Sequence, residues 1–289
     1  MVPAPELPVI GVLDWGVGGL FAVERILHRS PSVDLAFLSD SGTVPYGRQQ
    51  RPQLRTSVRR AVHHLRGLGA RRVLVACHSA STVLSELALP EVYGVICPAH
   101  IPRSKKILVL GGIRTIRSGA WRRALAGHGV VVQRIAQPLS AAVEAGRIDR
   151  PTTRQHLHRV LAPVQAADTV VLACTHYIAL APQIQALMPH AAIIDPALVE
   201  VGHWTIPTGS GRRIAQTTGD VHRTREVATR LIPSVARQLR FEAWSASSGP
   251  AARNVPPTPA KHSEDDHAPA GARAREAVAH GLSPSGPGT

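Results

Sequence analysis

The chain has 289 residues, 44% hydrophobic but only 3% aromatic, and carries a formal net charge of +14. That length holds two ordinary domains, or one large domain and a tail, with a core built from Val, Leu, Ile and Ala as in parallel α/β layers. No apolar run approaches the roughly 18 residues that a membrane-spanning helix needs.

The start, Met1-Val2-Pro3-Ala4-Pro5-Glu6, lacks the basic and apolar segments of a secretory signal. Three cysteines, none spaced C-x-x-C, make no disulfide framework. The expectation is a cytoplasmic protein with reduced thiols. From Ser245 to Thr289, Arg253, Lys261, Arg273 and Arg275 balance Glu264, Asp265, Asp266 and Glu276, so the excess charge lies on the preceding chain. Its field favours anionic partners, from small carboxylates to nucleic acid.

Val9 to Leu13 reads as a first buried strand ending at Asp14, and Gly16, Gly18 and Gly19 then turn the chain into a helix over Leu20 to Leu27. Asp34 to Leu38 is a second strand, followed by a loop with the turn Pro45-Tyr46-Gly47. A long helical pattern covers Gln50 to Leu68, a strand Val73 to Ala76, a helix Ser79 to Leu87 and a short strand Gly94 to Ile96 ending at Cys97. After a proline-bearing basic crossing at Ile101 to Lys106, the alternation restarts. Strands are expected at Ile107 to Leu110, Val130 to Ile135, Val170 to Ala173 and Ala192 to Ile194. Helices are expected at Thr115 to Ala126, Thr152 to Val164 and Pro182 to Leu187. A second crossing, Ile206 to Gly211, leads to a strand at Arg213 to Thr218, and Gly219-Asp220 caps a last helix reaching Leu239. Alternation of this kind implies a parallel sheet. Residues 5–100 with 208–241 form one expected α/β domain, and 101–207 a second. Residues 242–289, rich in Pro, Ala, Gly and Ser, read as a disordered tail.

Two phrases repeat. Val73-Leu74-Val75-Ala76-Cys77-His78-Ser79 and Val170-Val171-Leu172-Ala173-Cys174-Thr175-His176 each run a buried strand into a cysteine followed by hydroxyl and imidazole groups. One strand-end cysteine commonly just packs. Two placed alike can face one cleft, since ligands bind at the carboxyl ends of parallel strands. A helix start beyond each thiol is expected to lower its pKa. Opposed thiol and thiolate can take a proton from one face of a carbon and return one to the other. Asp14 and His176 are the groups expected to assist Cys77 and Cys174. No metal is expected, because Cys77, Cys97 and Cys174 lack a short-range ligand pair. Gly16-Val17-Gly18-Gly19 falls short of a dinucleotide loop.

Taken in order, Gly11-Val12-Leu13-Asp14-Trp15-Gly16-Val17-Gly18-Gly19-Leu20, Pro45-Tyr46-Gly47, Ala76-Cys77, Thr115-Ile116-Arg117-Ser118-Gly119, Cys174-Thr175-His176-Tyr177 and Thr218-Gly219-Asp220 resemble the glutamate racemase branch of the aspartate/glutamate racemase family. The resemblance spans roughly Val9 to Leu239. It implies two pseudo-symmetric α/β domains around a shared active site and cofactor-independent proton transfer by Cys77 and Cys174, supplying D-glutamate for the cell wall. By position, it also implies that Pro45, Tyr46, Gly47 and Thr115 hold the side-chain carboxylate and Thr175 the α-substituents, with Ser79 lining the pocket.

Trp15 stands where the family usually has Ser, and Cys77-His78-Ser79 where it reads Cys-Asn-Thr. Gly112 replaces a Thr, and Cys97-Pro98 a Glu-Pro step. Trp15 is expected to reshape the pocket. His78 is expected either to bond a substrate carboxylate or, as an imidazolium, to lower the pKa of Cys77. The competing readings are a racemase for another amino acid or carbon acid, and a lapsed enzyme retained as a binding protein. For the latter, Arg48 to Arg72 holds eight arginines and no acid, with Arg51, Arg55 and Arg59 on one helical face. A solvated face is the favoured reading of that run, ahead of nucleic acid or an acidic protein. The partner expected first is a small amino acid, with a homodimer left open.

Overall fold

The computed structural model describes residues 9–164 and 166–245. Its first half contains β1 (Val9–Asp14), α1 (Leu20–Arg29), β2 (Leu35–Ser39), α2 (Arg51–Gly67), β3 (Ala70–Val75), α3 (His78–Ser81) and β4 (Val92–Gly94). There follow β5 (Lys106–Gly111), α4 (Ile113–Arg117), α5 (Ala120–Ala124), β6 (Val130–Ile135), α6 (Gln137–Glu144), α7 (Pro151–Leu161), β7 (Thr169–Ala173), α8 (Ala181–Leu187) and β8 (Ala192–Ile194). The last elements are α9 (Pro196–Gly202), β9 (Arg213–Thr217), α10 (Val221–Leu231), α11 (Pro233–Ala236) and β10 (Arg240–Ala243).

The strands form two sheets, a six-stranded one in the order β10-β9-β2-β1-β3-β4 and a four-stranded one in the order β6-β5-β7-β8. Every pairing is parallel. Both sheets are covered by helices, which is why β1, β2 and β7 are buried at every residue and read as continuous apolar runs. Alternation divides each strand between two cores. Val12 joins Leu20, Val23, Leu35 and Phe37 on one face of the first sheet, and Leu13 joins Leu38, Leu54, Val58 and Val75 on the other. In the second sheet Leu108, Leu110 and Leu172 pack on one side, with Val109, Val171 and Trp121 on the other.

The segment β2-β1-β3-β4 has the same order as β6-β5-β7-β8. In each, the chain moves one way from the first strand and then crosses to its other side, creating a topological switch point where ligands bind. Asp14 ends β1 and Cys77 follows β3, on the two strands flanking the first switch point. Gly111 ends β5 and Cys174 follows β7, flanking the second.

Several local expectations change. Residues 79–87 split into α3 and a 3-10 turn at Leu84–Glu86, and the next strand lies at 92–94, after Ala88 and Glu91 take φ of 44° and 54°. Residues 115–126 form two short helices because Gly119 turns left-handed at φ 68°. Neither α6 nor α9 was expected. Near 232 the last helix ends, since Pro233 has no N–H to continue it; α11 follows, and β10 then pairs with β9. Glu242 and Ala243, assigned to the tail from sequence, belong to β10, and Trp244 stacks on His64 with ring centroids 4.0 Å apart. The rest of the expected tail, residues 246–289, lies outside the described residues. Among the described residues no helix is long and apolar enough to cross a membrane.

Candidate active site

Asp14 is only 1% exposed. Its Oδ1 accepts the backbone N–H of Trp15 at 2.7 Å, and its Oδ2 accepts the hydroxyl of Thr175 at 2.8 Å. That second bond joins the two sheets. Burial raises the carboxyl above its usual range, while His176 and the Thr175 hydroxyl pull it back. The glycine turn after Asp14 meets the same groups. A Cβ on Gly16 would collide with Glu144 Oε1, and one on Gly18 with Thr175 Oγ1. These glycines let side chains of the second sheet close onto the backbone of the first.

Cys77 and Cys174 are each partly buried. Cys77 caps α3, yet the expected lowering of its pKa does not occur. Burial pushes the thiol well above its ordinary value, the charges of Asp14 and Cys174 push it further, and the backbone N–H groups of Ala80 and Ser79 offset only part of this. A four-residue helix offers little dipole to compete. Cys77 therefore keeps its proton.

His78 does not supply the imidazolium partner either. Its ring is 2% exposed, neither nitrogen has a hydrogen-bond partner, and burial lowers its pKa to about 3. The ring is neutral and lies tilted against Trp121, centroids 6.2 Å apart.

On the second sheet, Cys174 Sγ lies 3.7 Å from His176 Nδ1, and His176 Nε2 lies 2.6 Å from Glu144 Oε1. Glu144 Oε1 also accepts the backbone N–H of Val17 at 3.1 Å, a second bond between the sheets. Burial by itself would discharge His176, but Cys174 and Glu144 outweigh it and hold the ring well above its ordinary pKa. Burial would likewise raise Glu144, and the His176 cation brings it below its usual value. Sequence reasoning missed Glu144 because it missed α6. The available signal was its isolation as the only acid between Glu91 and Asp149.

Replacing Glu144 by Gln is expected to move the His176 titration to lower pH by on the order of one unit, because the cation loses its charge partner. NMR titration of the ring measures this directly. An unchanged midpoint would mean that Glu144 does not hold the charge.

Several of the remaining positions contact one another or neighbouring loops. Ser79 Oγ and Thr115 Oγ1 face each other across the sheets at 3.5 Å, and Gly47 lies beside Ser79. Thr115 is 1% exposed. Tyr46 is buried after Pro45, and its hydroxyl donates to Asp40 at 2.7 Å, so its phenol is committed within the first sheet's loops. The indole N–H of Trp15 donates to the Thr43 carbonyl at 3.1 Å and anchors the ring to the loop holding Pro45 and Gly47.

The arginine face is less open than its sequence implies. Arg51 and Arg55 both reach Glu86, at 2.6 and 3.8 Å, and Arg60 reaches the buried Asp40 at 3.2 Å.

Two parallel sheets of matching strand order, bonded to one another beyond the carboxyl ends of their strands, are the fold of an amino-acid racemase, an isomerase. The structure is similar to the glutamate racemase of Bacillus anthracis, with a TM-score of 0.73 at 26% identity over 82% of this chain and 97% of that one. It is also similar to the glutamate racemase of Thermus thermophilus solved with β-chloro-D-alanine, with a TM-score of 0.72 at 27% identity over 83% and 98%. In sequence, the glutamate racemase of Gloeobacter violaceus is 34% identical over 220 residues, 71% of this chain and 83% of its own length. No protein-family model matches the chain. The chain belongs to the glutamate racemase family.

Proposed function

We propose that this protein is a cofactor-independent glutamate racemase, interconverting L- and D-glutamate by proton transfer between Cys77 and Cys174 and supplying D-glutamate for peptidoglycan in the cytoplasm. The two lobes are residues 5–100 with 208–241, and 101–207, with substrate held between their sheets. The observation that carries the reading is the placement of the two thiols. They follow corresponding strands of the two sheets, and Cys77 is close enough to Cys174 to feel its charge.

In one direction Cys174, beside the His176 cation, takes the α-proton, and the C–H electron pair stays on the α-carbon. The S–H of Cys77 then gives its proton to the opposite face, so the hand inverts and the protonation states of the two thiols exchange. The reverse direction swaps the roles, with Asp14 serving Cys77 as His176 serves Cys174. The α-proton of an amino acid is weakly acidic, so the developing charge has to meet fixed donors in a closed site. The hydroxyls of Thr175, Ser79 and Thr115, with the backbone at Pro45 to Gly47, are the groups proposed to hold the carboxylates. Nothing in this scheme requires a cofactor.

The test is exchange of the α-hydrogen of each glutamate enantiomer with solvent deuterium. Exchange with inversion is expected, and its absence in folded protein would defeat the reading. A second reading, racemisation of a different amino acid, is favoured by Trp15 and by the neutral, buried His78. An amino-acid panel run on the parent and on the pair Trp15→Ser with His78→Asn separates the two. A binding role for the basic helix has less support, because Glu86 already occupies Arg51 and Arg55.

A further inference from the structure

We propose that Cys97, His100 and Glu200 form a binding site for a divalent transition metal of the zinc class, where the chain's two passages between the sheets meet. The first passage, residues 95–105, runs from β4 to β5, and the second, residues 195–212, runs from β8 to β9. Cys97 precedes the 3-10 turn Pro98–His100, which places Cys97 and His100 three residues apart around one turn. The helix α9 packs against that turn and supplies Glu200, which is 8% exposed. One ligand atom from each residue lies within 4.8 Å of the others, and this is the one such cluster of three among the described residues.

The surroundings fit a ligand set. His100 Nδ1 lies 3.5 Å from Glu200 Oε2 and is buried with no hydrogen-bond partner. The other carboxylate oxygen accepts the indole N–H of Trp204 at 3.0 Å, which fixes the group and leaves Oε2 turned to the imidazole. Such outer contacts typically orient metal ligands. His203 stacks on His100 with centroids 4.1 Å apart, walling one side.

Thiolate, imidazole and carboxylate together suit Zn²⁺ and disfavour Mg²⁺ or Ca²⁺, which take oxygen ligands. Zinc bonds of about 2.0–2.3 Å put tetrahedral ligand atoms roughly 3.3–3.8 Å apart. The imidazole–carboxylate pair already has that spacing at 3.5 Å, and the Cys97 sulfur lies within 4.8 Å of a ligand atom on each of the other two. Three protein ligands leave a fourth position for solvent. This revises the metal-free expectation from sequence, where Cys97 was grouped with Cys77 and Cys174 and the Cys97-x-x-His100 pair went unread. A metal here would tie one passage to the other.

The test uses the full chain, stripped with chelator and titrated with Co²⁺. A thiolate-to-cobalt charge-transfer band saturating at one equivalent is expected, lost in Cys97→Ser and in His100→Ala, and kept in the double variant Cys77→Ala, Cys174→Ala. Trp204→Phe is expected to weaken binding about 10–100-fold. No band, a band that survives Cys97→Ser, or one that disappears with the catalytic pair would overturn the proposal. If the Cys97 variant fails to fold, alkylation of the parent decides. Zn²⁺ should shield Cys97 from a thiol reagent, and equal labelling with and without metal would refute the site.

Discussion

Replacing either Cys77 or Cys174 by alanine is expected to slow interconversion of the glutamate enantiomers by about 10²–10⁴-fold, the contribution of a positioned general acid or base. Each thiol serves one face of the α-carbon, so neither can cover for the other. The loss should appear mainly in kcat, because the groups proposed to hold the carboxylates remain. The single variants should differ from a general collapse in one further respect. The surviving thiol still addresses its own face, so each variant retains some α-hydrogen exchange from one enantiomer while failing to invert it. Stereospecific wash-out in deuterated solvent, followed by NMR, reads this directly. Full racemisation by either variant would rule out the two-thiol mechanism.

The second large effect concerns pH and stability. His78 is neutral in the folded chain, with a pKa of about 3, against about 6.5 in an unfolded chain. Below about pH 6.5 the unfolded state binds a proton that the folded state refuses. Stability from this group therefore falls as pH drops, by about 1.4 kcal/mol per unit until the folded pKa is reached. Asp195 acts in the opposite sense. Burial raises it to about 7 although the N–H groups of Leu198 and Ala197 favour its charged form. It contributes most below about pH 4 and loses that contribution as pH rises through 7. The two slopes partly cancel in the parent, so the difference between parent and His78→Asn isolates the histidine. Between pH 7.5 and 5, urea denaturation is expected to show the Asn variant losing about 2 kcal/mol less than the parent. A difference that does not change with pH would place a charged or solvated ring at His78.

The strands were legible because parallel strands buried on both faces leave continuous apolar runs, and the repeated strand-to-cysteine phrase marked the corresponding point in both sheets. The candidate site was legible where a residue ends a strand, as Asp14 does, or follows one within two residues, as Cys77 and Cys174 do. It was illegible where position depends on a helix without a clear apolar stripe. The helix α6 opens with Gln137-Pro138 and places Glu144 at its last residue, so the acid that holds His176 had no sequence pattern behind it. Adjacency to Cys77 misled in the case of His78, because burial without a hydrogen-bond partner keeps its ring neutral. Glu200 and Cys97 are brought together only by the packing of α9 against the first passage.

The bonds from Thr175 to Asp14 and from Val17 to Glu144 span the same gap. Any parting of the two sheets at this point breaks both together and rehydrates groups whose proton affinities depend on being kept dry.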